Sequence, residues 1–272
     1  MYYKRTMKIF KKGIVLIFIF LGIANLYPST GHDVKVKCPL CDTTISYWEQ
    51  LSYSIFTYGL DLKPMGAARI PPPIPRCNNC GFVFMEDYFS NEEIQILRNH
   101  IINKINKNVF SEKKRFPDYY YFAFALELLG NKDHEEVAYF YVCSVWEYSF
   151  NKMAFEYMKK NEMENTNEIY FERSIFIFLM QNAIEKINGL DNNSENYNNM
   201  QLIKLDFLRR LGLFSEAKKL IKNIKKNKSI YQGIVIDIIT YQIELIEKRD
   251  IDEHYLETFT AESETARQRQ AR

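Results

Sequence analysis

Histidine is scarce in this 272-residue chain: His32, His100, His134 and His254 are the only four, and they are scattered. None stands in an HExxH pair, beside a nucleophile elbow or in a comparable arrangement. The ten glycines form no phosphate-binding loop. Net charge is also small, +2 overall, and unevenly placed. The first 24 residues hold five basic side chains (Lys4, Arg5, Lys8, Lys11, Lys12) and no acid; the remainder has 31 basic against 34 acidic residues, a net of −3. That balance lacks the electrostatic footprint of a nucleic-acid binder, so no nucleic-acid partner is expected. Paired acids such as Glu92-Glu93 and Glu135-Glu136 read as first-turn charges favoured by a helix dipole. No catalytic and no organic cofactor-binding residue emerges, although dispersed catalytic groups leave no trace in a single sequence.

Cysteine is equally sparse, but its placement is informative. Four of the five form two Cys-x-x-Cys pairs, CPLC (Cys38, Cys41) and CNNC (Cys77, Cys80), 35 residues apart. Each pair is a candidate knuckle, a tight turn that aims two thiolates at one tetrahedral ion. Gly81 follows the second pair and supplies the positive φ such a turn needs; Asp42 takes that place after the first. Matching spacing at both ends is a far stronger signal than one CxxC. A structural Zn²⁺ on Cys38, Cys41, Cys77 and Cys80 is the reading adopted. The alternatives are two disulfides or a redox pair. Pro71 to Pro75, running almost into Cys77, opposes a thioredoxin-like strand-to-helix junction. With four thiolates committed, the ion has no open position for catalysis. His32, six residues before Cys38, reads as a solvated linker side chain, and Cys143, in an apolar helical run, as a buried thiol.

The amino terminus has the parts of an export signal: basic residues, then an uncharged run from Gly13 to Leu26, then small residues Gly22 and Ala24 at −3 and −1 of a cut before Asn25. The run is short for a span of about 20 residues. A signal peptide over 1–24 is expected, with an uncleaved membrane anchor or a buried helix as the alternatives, and an exported or outward-facing location. Membrane contact is expected only through this segment, if it is retained.

The fold class expected is mainly α: a small zinc-ribbon-like β module over 34–89, antiparallel helix pairs over 90–250, and a disordered polar tail over 258–272. Alternation around Ser46 to Tyr58 suits short strands, and GFVFMEDYF after Cys80 is a candidate for another. Trp48 and Tyr53 read as packing residues of a tiny core, with exposed binding aromatics as the alternative. From Ser90 the signal is helical. Ser90 and Glu93 form a capping box, followed by Ile94, Leu97, Ile101 and Ile105 on one face. Phe116-Pro117-Asp118 breaks the chain, and Gly130 and Gly189 close later helices. Asp133 with Glu136 starts another, and DNNSENYNN (191–199) reads as a polar loop.

LRRLGLFSEAKKLIKNI (Leu208 to Ile224) resembles a tetratricopeptide helix-turn-helix junction. Gly212 turns the chain, Ala217 allows close approach, and Leu220 and Ile224 fill the groove. A looser version surrounds Gly130 and Ala138. The 82-residue offset from Gly130 to Gly212 is not a multiple of 34, so the array is irregular. Tyr231 to Lys248 reads as a closing helix.

Together the two knuckles, the CNNCGFVF segment, the acidic helix start and the LRRLGLFSEA junction resemble the uncharacterised bacterial domain of unknown function 2225 family, over Val36 to Arg249. That resemblance implies a metal-binding ribbon, carried by Cys38, Cys41, Cys77 and Cys80, fused to tetratricopeptide-like helices. It implies no established activity. The chain departs from it in a second knuckle without proline and in the export-like leader. A protein or peptide partner bound by the helices is the expected function, and a hydrolase or thiol redox enzyme the alternative.

Overall fold

The computed structural model describes residues 29–66, 69–101, 116–159, 166–226, 231 and 233–256; within these, only the backbone is described for 29, 53, 150–159 and 166–172. The leader, Ile105 and the polar tail lie outside the described residues. The architecture is mainly helical, with two small antiparallel hairpins ahead of seven helices among the described residues.

β1 (Ser29–Lys37) and β2 (Thr44–Tyr53) form the first hairpin, with Cys38 to Thr43 at its tip. Strand alternation gives it two faces. Val34 and Val36 lie opposite Tyr47 and Ile45 on the face that packs into the core. Asp33, Lys35 and Lys37 share the outer face with Trp48. A register shift between Thr30 and Gly31 leaves Leu51 as the extra residue of a bulge. Gly31 is required there: a Cβ would lie 2.2 Å from the Trp48 ring. His32 is therefore a strand residue, 3.9 Å from Glu49, and takes no part in the cysteine site. β3 (Ile55–Tyr58) and β4 (Pro64–Gly66) make the second hairpin.

The GFVFMEDYF segment is not a strand. Only Val83 makes an isolated bridge, to Arg76. Phe82, Val83 and Phe84 are all buried, so the segment has no solvated face to alternate with. Asp87, at a φ of 55°, then turns the chain towards the first helix.

The helices are α1 (Asn91–Ile101), α2 (Asp118–Leu129), α3 (His134–Lys159), α4 (Thr166–Asn188), α5 (Tyr197–Arg210), α6 (Phe214–Lys226) and α7 (Ile234–Lys248). The capping box on α1 is reciprocal: Ser90 N donates to Glu93 Oε2 at 3.0 Å, and Glu93 N to Ser90 Oγ at 3.2 Å. Ile94, Leu97 and Ile101 are its buried face. α2 ends at Gly130, with φ 67° and its N–H on Glu127 O. Pro117 offers that helix no side-chain cap. Instead Glu147 of α3 accepts from Tyr119 N at 3.0 Å and from Arg69 at 2.6 Å. A distant carboxylate thus satisfies a helix-start donor that the local sequence leaves open.

α5 is the axle of the helical part. Met200, Ile203 and Phe207 enter the core shared by the cysteine-bearing β module and α1 to α4, whereas Leu202, Leu205 and Leu208 enter a second core with α6 and α7. The junction expected at Gly212 forms: its φ is 74°, and Leu213 N returns to Leu208 O at 2.9 Å. Ala217 is fully buried beneath it. Cys143 is buried in α3, and burial pushes its thiol pKa up. Trp48 departs from the expected packing role, being 41 % exposed.

The last turn of α5 carries a buried ionic cluster. Arg209, with no exposed surface, donates to Asp206 Oδ1 at 2.8 and 3.2 Å and to Asp250 O at 2.9 Å. Arg210 faces Asp61, Asp206 and Glu253. Asp61 sits in the β3–β4 turn and accepts from Lys63 N at 3.1 Å. Burial, then the Asp206 charge, lifts the Asp61 carboxyl to about 6, against the pull of Arg210. The fold therefore favours its neutral form. The associated stability is complete below the ordinary carboxylate value and is lost as pH rises through about 6. In urea titrations the wild type should lose on the order of 2 kcal/mol relative to Asp61→Asn between about pH 4 and 7; a pH-independent difference would contradict this placement.

Candidate metal centre

Each knuckle is held by the same pair of backbone bonds. In the first, Cys38 N donates to Thr43 O and Asp42 N to Cys38 O, both at 2.9 Å. In the second, Cys77 N donates to Phe82 O at 2.8 Å and Gly81 N to Cys77 O at 2.9 Å. Asp42 and Gly81 occupy matching positions with φ 57° and 76°, as the sequence leads one to expect. Lys37 pairs with Thr44 at the base of one turn and Arg76 with Val83 at the base of the other. The two turns are copies of one device with unrelated flanks.

All four sulfurs lie within 4.8 Å of one another, and no other cluster of potential ligands occurs among the described residues. Cys38 Sγ is 3.6 Å from Cys80 Sγ, and Cys41 Sγ is 3.5 Å from Cys77 Sγ. A tetrahedron with Zn–S bonds of about 2.3 Å has edges of about 3.8 Å. A disulfide needs about 2.05 Å. The spacing fits shared ligation, and all four residues are free thiols.

The surroundings favour the thiolate at Cys38 and Cys41 and oppose it at Cys77 and Cys80. Backbone N–H groups of Leu40 and Cys41 bond to the Cys38 sulfur, and those of Asn79 and Cys80 to the Cys77 sulfur. Thr43 and Phe82 do the same for Cys41 and Cys80. Cys41 also lies 3.3 Å from Thr43 Oγ1, which in turn accepts from Asn79 Nδ2 at 3.3 Å. The Cys80 contact, aided by the turn's N–H groups, holds the Cys38 thiol down at about 5. The same contact drives Cys80 upward, and burial raises Cys77. Against its own burial, hydrogen bonding from Thr43 and Asn79 keeps Cys41 low. A dication at the centre would let all four ionise together.

Cys38 and Cys77 are buried, whereas Cys41 and Cys80 are half-buried. The first members share a core with Leu40, Ile45, Phe82, Val83, Phe84 and Leu97. The support that sequence reasoning missed is Arg98. From the last turn of α1 its Nε donates to Leu40 O at 3.0 Å and its Nη2 to Pro39 O at 3.1 Å. A guanidinium thus pins two carbonyls of the CPLC turn and sets a positive charge beside a site that would carry −2 when filled. The only hint in the sequence is a basic residue in a helix's last turn, which has a commoner explanation in the helix dipole.

No family model, no curated protein and no solved structure matches this chain.

Arg98→Met keeps much of the aliphatic stem and removes both bonds. It should weaken metal affinity by about 10- to 100-fold, as loss of an outer-shell partner does, in competition titrations with a chromogenic chelator. Unchanged affinity would reduce Arg98 to a surface contact.

Proposed function

We propose that this chain is a zinc-stapled binding protein: Cys38, Cys41, Cys77 and Cys80 hold one structural Zn²⁺, and the helix pairs behind them engage a protein or peptide partner. The convergence of two distant sulfur pairs within 4.8 Å carries the metal part. Four-thiolate, closed coordination is the pattern of structural zinc, which adds to folding free energy instead of activating water. A thiol redox role has less support, because the contacts at 3.5 and 3.6 Å run between the two pairs, whereas a redox CxxC works within one.

The binding part rests on the helical architecture, since stacked helix pairs characteristically present extended surfaces. One aromatic group stands at such a surface. Phe116, Tyr120 of α2 and Phe178 of α4 pack with centroids 4.7 to 5.7 Å apart, and Phe178 is exposed. Aromatic side chains supply large contact area at low entropic cost. Export through the 1–24 leader, and kinship with the domain of unknown function 2225 family through the knuckles and the Leu208 to Ile224 junction, belong to the same proposal.

Metal analysis of protein purified without added metal should give one zinc per chain, with Cys38, Cys41, Cys77 and Cys80 unreactive to a thiol reagent until a strong chelator is added. Chelation should also lower the melting temperature by many degrees. Iron in place of zinc, two disulfides by mass, or a melting point indifferent to chelation would each sink the metal reading. A photo-crosslinker at Phe178 should capture one discrete protein in cells of the source, and a crosslinker at exposed Lys222 of α6 should not.

A further inference from the structure

Large apolar side chains are exposed unevenly over the surface. Within nine residues of chain, Trp48 and Ile55 are each 41 % exposed, Leu51 61 % and Phe56 62 %. Leu51 is the bulged residue of β2, and Ile55 and Phe56 open β3. Trp48 stands at the middle of the first hairpin, Leu51 nearer the end remote from the cysteines, and Ile55 and Phe56 follow that end in the chain. Such a concentration, unlike single exposed apolar residues, marks an interaction site.

What covers it follows from where the chain comes from. Ser29 pairs with Tyr53 at that same end. Leu26, the last residue of the uncharged run that starts at Gly13, is three residues before Ser29 in the chain. Phe56 is three residues beyond Tyr53, within about 11 Å of it. No charged residue occurs between Lys12 and Asp33. The outer face that carries Trp48 also carries Asp33, directly opposite it, and Lys35 and Lys37 towards the cysteine end, all exposed. An indole among exposed aliphatic groups suits the boundary between acyl chains and headgroups.

We propose that Trp48, Leu51, Ile55 and Phe56 form a membrane-contact strip, which seats the hairpin on the lipid surface into which the 13–26 segment inserts. The inference rests on retention of that segment as an anchor, one of the two exported forms considered above. A bilayer is favoured over a second copy of the chain because the strip lies where an uncharged segment enters the fold. The cysteine centre, at the opposite end of the hairpin, then stands away from the membrane.

The test uses the full chain with Trp146→Phe, which leaves Trp48 as the single indole. The ring removed is buried, and its Nε1 has no hydrogen-bond partner among the described residues. Reconstituted in vesicles of phosphatidylcholine and phosphatidylglycerol, Trp48 emission should shift to the blue. It should fall severalfold when the acyl chains are brominated near the headgroups. Leu51→Ser with Phe56→Ser should abolish that quenching at unchanged zinc content. Three results would overturn the proposal, each for its own reason. Native protein that begins at Asn25 and fractionates with the aqueous phase removes the anchor. A retained leader with Trp48 as open to acrylamide as a free indole removes the strip. Trp48 shielded from acrylamide yet indifferent to bromination assigns the strip to protein, either a second copy or the leader folded back.

Discussion

Two hairpin tips that share no strand meet through four sulfur atoms. The first tip ends a nine-pair hairpin, whereas the second is little more than a turn, held by the Arg76–Val83 bridge and by Phe84 N on Pro75 O at 3.1 Å. Nothing in β pairing joins them, since the strands of the described residues form two separate two-stranded sheets. Small antiparallel units of this size are marginal alone. What fixes one tip against the other is sulfur convergence on one side and burial of Leu40, Phe82, Val83 and Phe84 on the other. Arg98 extends the constraint to α1, because it holds the CPLC carbonyls from a helix whose apolar face lies in the same core.

The helical half depends on a different kind of constraint. A helix buried on all sides must satisfy any charge it carries, and α5 ends in Asp206, Arg209 and Arg210. Removing one member of such a cluster strands the others, which costs more than the cluster itself contributes. The charges are met by Asp61 from the second hairpin and by Asp250 and Glu253 beyond α7. Lys63, two residues from Asp61, donates to Trp146 O of α3 at 3.1 Å. Gln242 of α7 donates to Leu60 O at 2.7 Å in the same turn. One short turn, Leu60 to Lys63, therefore links three helices, and Leu62 touches all three apolar clusters. Specificity of arrangement, more than net stability, is what directional buried bonds of this kind provide.

Features are legible in the sequence wherever their chemistry is local. The knuckles need only a CxxC and a residue tolerant of positive φ, which Asp42 and Gly81 announce. The Ser90–Glu93 box and the Gly130 and Gly212 turns are likewise complete within a few residues. What the sequence does not announce depends on partners remote in the chain. Glu147 caps a helix start 28 residues earlier, and Arg98 braces a turn 58 residues earlier. Arg209 and Arg210 read as part of a repeat motif, with nothing to point towards Asp61 or Glu253. The GFVF segment misleads for a related reason: its apolar run suits a strand, yet tertiary burial from both sides, not strand pairing, explains it. Trp48 differs from expectation because area alone suggests burial; its ring instead covers Gly31 on the outer face.

A thiolate centre on a chain proposed to leave the cytoplasm raises the question of why it would escape oxidation, and the geometry supplies an answer. Closing a disulfide across either contact requires the sulfurs to approach by about 1.5 Å from 3.5 or 3.6 Å. Each sulfur is anchored against that approach by backbone N–H groups of its own turn. The turns themselves are braced separately, one by Arg98 and the other by the Phe82 to Phe84 core. Cys38 and Cys77 are buried, so an oxidant reaches only Cys41 and Cys80 directly. Ligation to a dication would withdraw the same electrons that oxidation attacks. The arrangement that suits the four cysteines to shared ligation thus opposes a disulfide across either contact, which fits a four-cysteine centre on a chain proposed to be exported.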